Sequence, residues 1–152
     1  MQHFVRIALA AILAAAVVGG AASAANAPEH VIKYRQNLMK AVGGHISNVA
    51  LLVKGQVDFS AGLVTDSQAI VDLLKNAGIA FPEGTAEGKT KAKPEIWQDR
   101  AKFDAALEDT IGKAEALAVA AGGGDMAAVG AALGALGKSC GACHKSFRIK
   151  DE

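Results

Sequence analysis

The chain has 152 residues, of which 51% are hydrophobic and 5% aromatic, and its formal net charge is +1 at pH 7. This near balance of acids and bases excludes the basic excess that nucleic-acid binding or a polybasic lipid-binding patch would need. The length suits a single domain with one core.

The N-terminal segment has the pattern of a secretory signal peptide. Arg6 precedes an unbroken apolar run from Ile7 to Val18, and small residues follow as far as Ala24. A membrane-spanning helix needs roughly 20 apolar residues, and this run is shorter. We therefore expect cleavage after Ala24, a mature domain of residues 25–152, export to the periplasm, and no membrane span.

Two amphipathic helices are predicted in the first half of the mature domain. The first begins near Pro28, because proline suits the first helical turn, and it ends near Gly55. The second begins at Thr65 with the capping-box sequence TDSQ, and Gly78 is placed to stop it. A polar stretch over residues 81–93 is predicted to be a loop.

Two further helices complete the chain. The third is predicted to run from Pro94 to the three glycines at 122–124. Asp125 is placed to cap the fourth, whose apolar positions recur in steps of three and four residues at Met126, Val129, Leu133, Leu136, Cys140, Cys143 and Phe147. Four such helices predict an all-α, antiparallel four-helix bundle.

The two cysteines, Cys140 and Cys143, are separated by two residues, and His144 follows directly in the sequence CGACHK. A zinc site would need about four ligands, and the adjacent Cys143 and His144 cannot readily close on one small ion. A disulfide would close only a tiny loop and constrain little of the unfolded chain. A redox dithiol remains open in an exported protein, but it belongs at a strand-to-helix turn that this sequence does not offer.

The fourth interpretation of these residues is a covalent haem. C-x-x-C-H is the attachment motif of c-type haem: the two thiols add to the two vinyl groups, and the adjoining imidazole is held where it can bind iron. A haem would also supply apolar bulk to a sequence with few large aromatic residues. We therefore predict one covalent haem c per chain, attached at Cys140 and Cys143.

The sequence CGACHKSFR, from Cys140 to Arg148 at the end of a fourth helix, resembles the cytochrome c′ family. The sequences YRQ at Tyr34, VKGQ at Val53 and PEIW at Pro94 are similar to that family as well, so the resemblance covers essentially the whole mature chain. It implies a four-helix bundle, His144 as the proximal iron ligand, and a homodimer packed through the first two helices.

Two arginines are candidates for contacts with the haem. Arg35 lies on the apolar face of the first helix, where a charge needs a partner, and a haem propionate is one candidate. Alternatively, the side chain of Arg35 extends to solvent. The resemblance implies that Arg148 lies near the proximal side of the haem, close to a propionate or a gas, although a solvated arginine at a helix end is the alternative.

Met39 decides between two functions. The resemblance places it over the distal side of the haem, where a low-spin branch of the family has a methionine ligand. We favour Met39 as a ligand and electron transfer with redox partner proteins as the function. The alternative is a five-coordinate, high-spin haem that binds nitric oxide or carbon monoxide, with Met39 as a steric gate or core gap-filler.

A third possibility is a thiol-disulfide enzyme without haem. No Ser/His/Asp set, phosphate-binding glycine loop or paired carboxylates are visible in the sequence. Because no such catalytic group is visible, our main prediction is a protein that is not an enzyme, and the thiol-disulfide enzyme stays an alternative.

Overall fold

The computed structural model describes residues 26–150 as four long helices and one short helix. The predicted leader and its cleavage site lie outside the described residues. The helices α1 to α5 span Pro28–Val53, Ser60–Ala77, Glu95–Gln98, Arg100–Gly123 and Met126–Phe147, and a 3-10 turn, Gly78–Ala80, follows α2.

The four long helices close into a bundle. Helix α1 packs on α2 and α5, and α4 packs on the same two helices from the other side. Short connections at 54–59 and 124–125 join antiparallel neighbours. The predicted all-α four-helix bundle is therefore confirmed. The largest fully buried apolar side chains of the described residues are Val49, Ile70, Ile96, Leu117, Val129 and Leu136.

Local signals fix the start of α1 and the start of α5 as predicted. Pro28 opens α1, where its missing N–H costs no hydrogen bond. The carboxylate of Asp125 accepts hydrogen bonds from the backbone N–H groups of Ala127 at 2.9 Å and Ala128 at 3.4 Å. The cap therefore satisfies two amide groups that have no partner within the helix.

Helix α2 begins earlier than predicted. It starts at Ser60, so the sequence TDSQ at Thr65 lies inside the helix and does not cap it. Leu63 is buried in the core that α2 shares with α1 and α4. Its burial extends the helix by more than a turn, because tertiary packing outweighs a local capping signal.

The predicted third helix is divided in two. Asp99 leaves the helical conformation, with φ −130° and ψ 65°, and separates the short α3 from α4. Its carboxylate accepts a hydrogen bond from the backbone N–H of Lys102 at 3.2 Å. Asp99 is thus an N-cap, a position that aspartate favours, and the break lets Ile96 bury its side chain in an aromatic cluster with Phe103.

The apolar face of α5 is confirmed along most of its length. Val129, Leu136 and Phe147 are buried, and the two cysteines are half-buried. Met126 was wrongly placed on this face, because its side chain is 39% exposed.

By length and composition alone, α5 could cross a membrane, and it is the one described helix of that kind. In the fold it packs against α4 and α1.

We expect the same substitution at two nearby glycines to have opposite effects. Gly124 has φ +72°, which a Cβ atom disfavours by about 1–2 kcal/mol, so Gly124→Ala should lower the free energy of unfolding. Gly122 is helical and an added Cβ would meet no atom within 4 Å, so Gly122→Ala should raise it by up to about 1 kcal/mol. Urea unfolding followed by circular dichroism measures both, and effects of equal sign would contradict the assigned end of α4.

Candidate functional site

A cavity of about 840 Å³ lies between α1 and α5. Helices α2, α3 and α4 supply the remaining walls, together with Phe81 and residues 88–92 of the loop at 82–93. The volume falls in the range of roughly 300–1,000 Å³ that is typical of ligand and cofactor sites. The structure brings to this one cavity all six residues to which the sequence assigned a role: Arg35, Met39, Cys140, Cys143, His144 and Arg148.

Helix α5 places both cysteines and His144 along one cavity wall. Residues three and four apart share a helix face, so Cys140 lies beside both Cys143 and His144. The two cysteines are not joined by a disulfide. Burial raises the pKa of Cys140 and of Cys143, and the neighbouring Cys140 raises the pKa of Cys143 further.

His144 lies between two cavities. It lines the large one, and it also lines a smaller one of about 290 Å³ near the C-terminus, with Lys145 and Arg148 among its neighbours. Desolvation lowers the pKa of the His144 imidazole below its ordinary value, and the positive charge of Arg148 lowers it further. The lowered pKa favours the neutral ring, which is the form that binds a metal ion.

Met39 enters the same cavity from α1. Its partly buried side chain packs against both apolar clusters of the molecule, the main bundle core and the aromatic cluster of Phe81, Phe103 and Phe147. The thioether is thus supplied by a different helix from the one that carries His144.

Arg35 is buried, with 3% of its surface exposed, so the alternative in which it extends to solvent is wrong. Its guanidinium donates hydrogen bonds to the hydroxyl of Thr85 at 2.8 Å, the carbonyl of Thr85 at 2.7 Å and the hydroxyl of Thr90 at 2.6 Å. It also lies over the rings of Phe81 and Trp97, at 5.2 Å and 5.5 Å from their centroids. Burial lowers the pKa of Arg35, but a guanidinium stays charged in proteins.

Further hydrogen bonds hold the loop at 82–93 against α1 and the C-terminus. The side chain of Gln36 donates to the carbonyl of Lys89 at 2.8 Å. On the other side, the backbone N–H of Lys93 donates to the carbonyl of Phe147 at 3.0 Å. The backbone N–H of Ile149 donates to the carbonyl of Lys91 at 2.8 Å. The loop therefore forms a fixed wall of the large cavity.

The walls of the two cavities carry positive charge. Among the described residues that line them, there is no Asp or Glu. The cationic lining residues are Arg35, Lys40, Lys89, Lys91, Lys145, Arg148 and Lys150. Seven of the 16 Lys and Arg residues of the chain therefore line these two cavities.

The residues present fit a covalent haem better than a directly bound metal ion. Within residues 26–150, no group of three or more His, Cys, Asp or Glu side chains could hold a metal. The two free thiols, the neutral imidazole of His144 and the large, mostly apolar cavity suit a flat apolar ring attached at Cys140 and Cys143.

Sequence reasoning missed the polar partners inside the site. Thr85 and Thr90 hold Arg35, but they stand 50 and 55 residues away from it and no local pattern connects them. Thr110 also lines the cavity, and its hydroxyl lies 2.8 Å from both the Ala106 carbonyl and the Ser139 hydroxyl. Because Thr110 is satisfied by these partners, it places no unpaired polar group in the cavity wall.

A helical bundle whose last helix presents C-x-x-C-H to a cofactor-sized cavity defines the class of helical c-type haem proteins. A family model described as "Cytochrome C'" matches residues 30–148. The cytochrome c′ of Pararhodospirillum photometricum is 40% identical over 122 residues, which cover 80% of this chain and 98% of that protein. The chain belongs to the cytochrome c′ family, whose members carry covalently bound haem c.

Two solved structures from Alcaligenes xylosoxidans are similar over most of the bundle. One is a nitric oxide complex of a cytochrome c prime variant, with a TM-score of 0.76 and 34% identity, covering 82% of this chain and 97% of that one. The other is a carbon monoxide-bound variant, with a TM-score of 0.76 and 34% identity, covering 82% and 98%.

We expect Arg35→Lys to destabilise the protein by about 1–3 kcal/mol, because a lysine cannot reach all three oxygens and leaves buried acceptors without donors. Urea unfolding gives the free energy, and hydrogen exchange of the amides at 85–92 reports whether the loop opens.

Arg100→Lys is the matched control. The side chain of Arg100 also donates to a backbone carbonyl, that of Phe81 at 3.0 Å, but it is 44% exposed. Arg100→Lys should lower the free energy of unfolding by less than about 1 kcal/mol. Equal losses in the two variants would contradict the role of Arg35 as the buried anchor of the loop.

Proposed function

We propose that this protein is a periplasmic cytochrome c′ whose haem iron binds a diatomic gas such as nitric oxide or carbon monoxide. The observation that carries the proposal is the single cavity that has Cys140, Cys143 and His144 on one helix and Met39 on another. Family membership supplies the haem, and the gas complexes of two similar structures support an iron with an open position.

The side chains of α5 hold the cofactor in this proposal. Cys140 and Cys143 would hold the haem through thioether bonds, and the imidazole nitrogen of His144 would bind the iron. When bound, the haem would supply an iron that can exchange one electron and bind a small neutral gas. Arg35 and Arg148 provide positive charge at the cavity for the propionates.

Met39 acts as a steric gate in this proposal, and not as the iron ligand that the sequence favoured. Its side chain packs against both apolar clusters, which is the behaviour of a core residue. A thioether held by such packing would limit access to the iron without binding it. Because methionine has three rotatable bonds, it can move when a gas enters.

Electron transfer is the second candidate function, and the positive charge at the cavity mouth favours it. Lys40, Lys89 and Lys91 line the large cavity with no acid among the described lining residues. Such a surface attracts acidic protein partners and raises their association rate. The two functions share the cofactor and differ in whether the thioether of Met39 binds the iron and so prevents a gas from binding.

We further propose that residues 1–24 are removed on export and that residues 25–152 form the mature domain. The protein acts as a gas binder or electron carrier, and not as an enzyme.

Exposed apolar side chains on and beside α1 and α2, among them Leu51, Phe59 and Val64, support a homodimer packed through these helices.

The absorption spectrum of the dithionite-reduced protein, with and without carbon monoxide, tests the gas-binding proposal. We expect broad high-spin bands that shift when the gas is added.

Met39→Ala should raise the association rate of carbon monoxide by about tenfold, which corresponds to removing about 1.4 kcal/mol of barrier.

Met126→Ala is the control for this substitution, since Met126 is exposed and does not line the cavity. It should leave the rate unchanged. Sharp, split bands that do not respond to carbon monoxide, and that become high-spin in Met39→Ala, would overturn gas binding and establish electron transfer with Met39 as ligand.

A further inference from the structure

Two consecutive glycines, Gly43 and Gly44, stand in the interior of α1. Glycine lowers the stability of a helix relative to alanine. Neither position requires glycine for its backbone or its packing, because both are helical and a Cβ built at either one meets no atom within 4 Å. The fold alone therefore does not explain why these positions lack side chains.

Only one of the two glycines lines the large cavity. Gly43 is among its lining residues, whereas Gly44 is not. Gly43 is also exposed to solvent, so it stands at the mouth of the cavity. It follows Met39 by one helical turn and therefore lies next to that side chain on the same face of α1.

The mouth of the cavity has two chemically different parts. Lys40, Lys89 and Lys91 contribute long side chains with strongly hydrated charges. Met39, Gly43 and Ile46 form an apolar line along α1, and all three line the cavity. The lack of a side chain at Gly43 leaves a gap in this apolar line.

We propose that Gly43 is the entry point for the gas and the space into which the Met39 side chain moves to admit it. This inference rests on the proposed function and adds the route of the ligand. A gap the size of one missing side chain, bordered by apolar groups, admits a neutral diatomic molecule.

The test compares Gly43→Leu with Gly44→Leu in the haem-loaded protein. Both substitutions replace a helical glycine by the same good helix former, but only the first fills the cavity mouth. We expect Gly43→Leu to lower both the association and the dissociation rate of carbon monoxide with the ferrous protein by on the order of tenfold. The dissociation constant should change little, because a gate slows entry and exit equally.

Gly44→Leu should leave both rates within about twofold of the wild type, a difference well under the 1.4 kcal/mol that a tenfold change requires. A second readout is NMR relaxation of the Met39 methyl group in the carbon monoxide-saturated protein, in which the iron does not broaden the signal. The motion of this methyl group should be restricted in Gly43→Leu and not in Gly44→Leu. If Gly43→Leu fails to fold, Gly43→Ala gives a smaller change in the same direction.

Two results would overturn the gate: unchanged rates in Gly43→Leu, and equal rate changes in both variants. If the rates are unchanged and sedimentation shows a changed oligomeric state, the gap belongs to a subunit interface. Absence of carbon monoxide binding in the wild type would instead overturn the proposed function, and the gate with it.

Discussion

The fold depends on the space between α1 and α5 being filled. Protein interiors pack at the density of organic crystals, and an apolar space of about 840 Å³ without an occupant would forfeit a large number of contacts. The sequence has few aromatic residues, and Phe81, Phe103 and Phe147 are gathered in one cluster beside the cavity. A haem tied to Cys140 and Cys143 would therefore serve as part of the core.

Helices α5 and α1 have different roles around this cofactor. Helix α5 carries the residues that would hold it, and α1 carries those that would control access to it. Arg35 fixes the loop at 82–93 from within the protein, which in turn positions Lys89 and Lys91 at the mouth. The buried guanidinium of Arg35 thus stabilises the loop and, through it, holds in place two positive charges that a protein partner would contact.

The sequence was sufficient where signals are local or periodic. The cap at Asp125, the start of α1 at Pro28 and the cavity face of Cys140 and Cys143 could be predicted because they depend on neighbouring residues. The early start of α2 could not, since it depends on where Leu63 packs. Neither could the three hydrogen bonds of Arg35, since its partners come from a loop with no regular pattern. The role of Met39 was decided neither by its spacing nor by its residue type, because a methionine suits both a ligand and a core position.

The most direct test is the NMR spectrum of the reduced protein labelled with ¹³C at the methionine methyl groups. The sequence has three methionines, and Met1 lies in the predicted leader, so the mature chain would give two signals. We predict that the Met39 signal is strongly shifted and broadened by high-spin ferrous iron and sharpens on saturation with carbon monoxide, while Met126, about 20 Å along α5 from the cysteines, changes little. A sharp Met39 signal before the gas is added, at the position of an iron-bound thioether, would contradict the open iron. A Met39 signal that never responds to the iron would contradict the placement of the haem in this cavity.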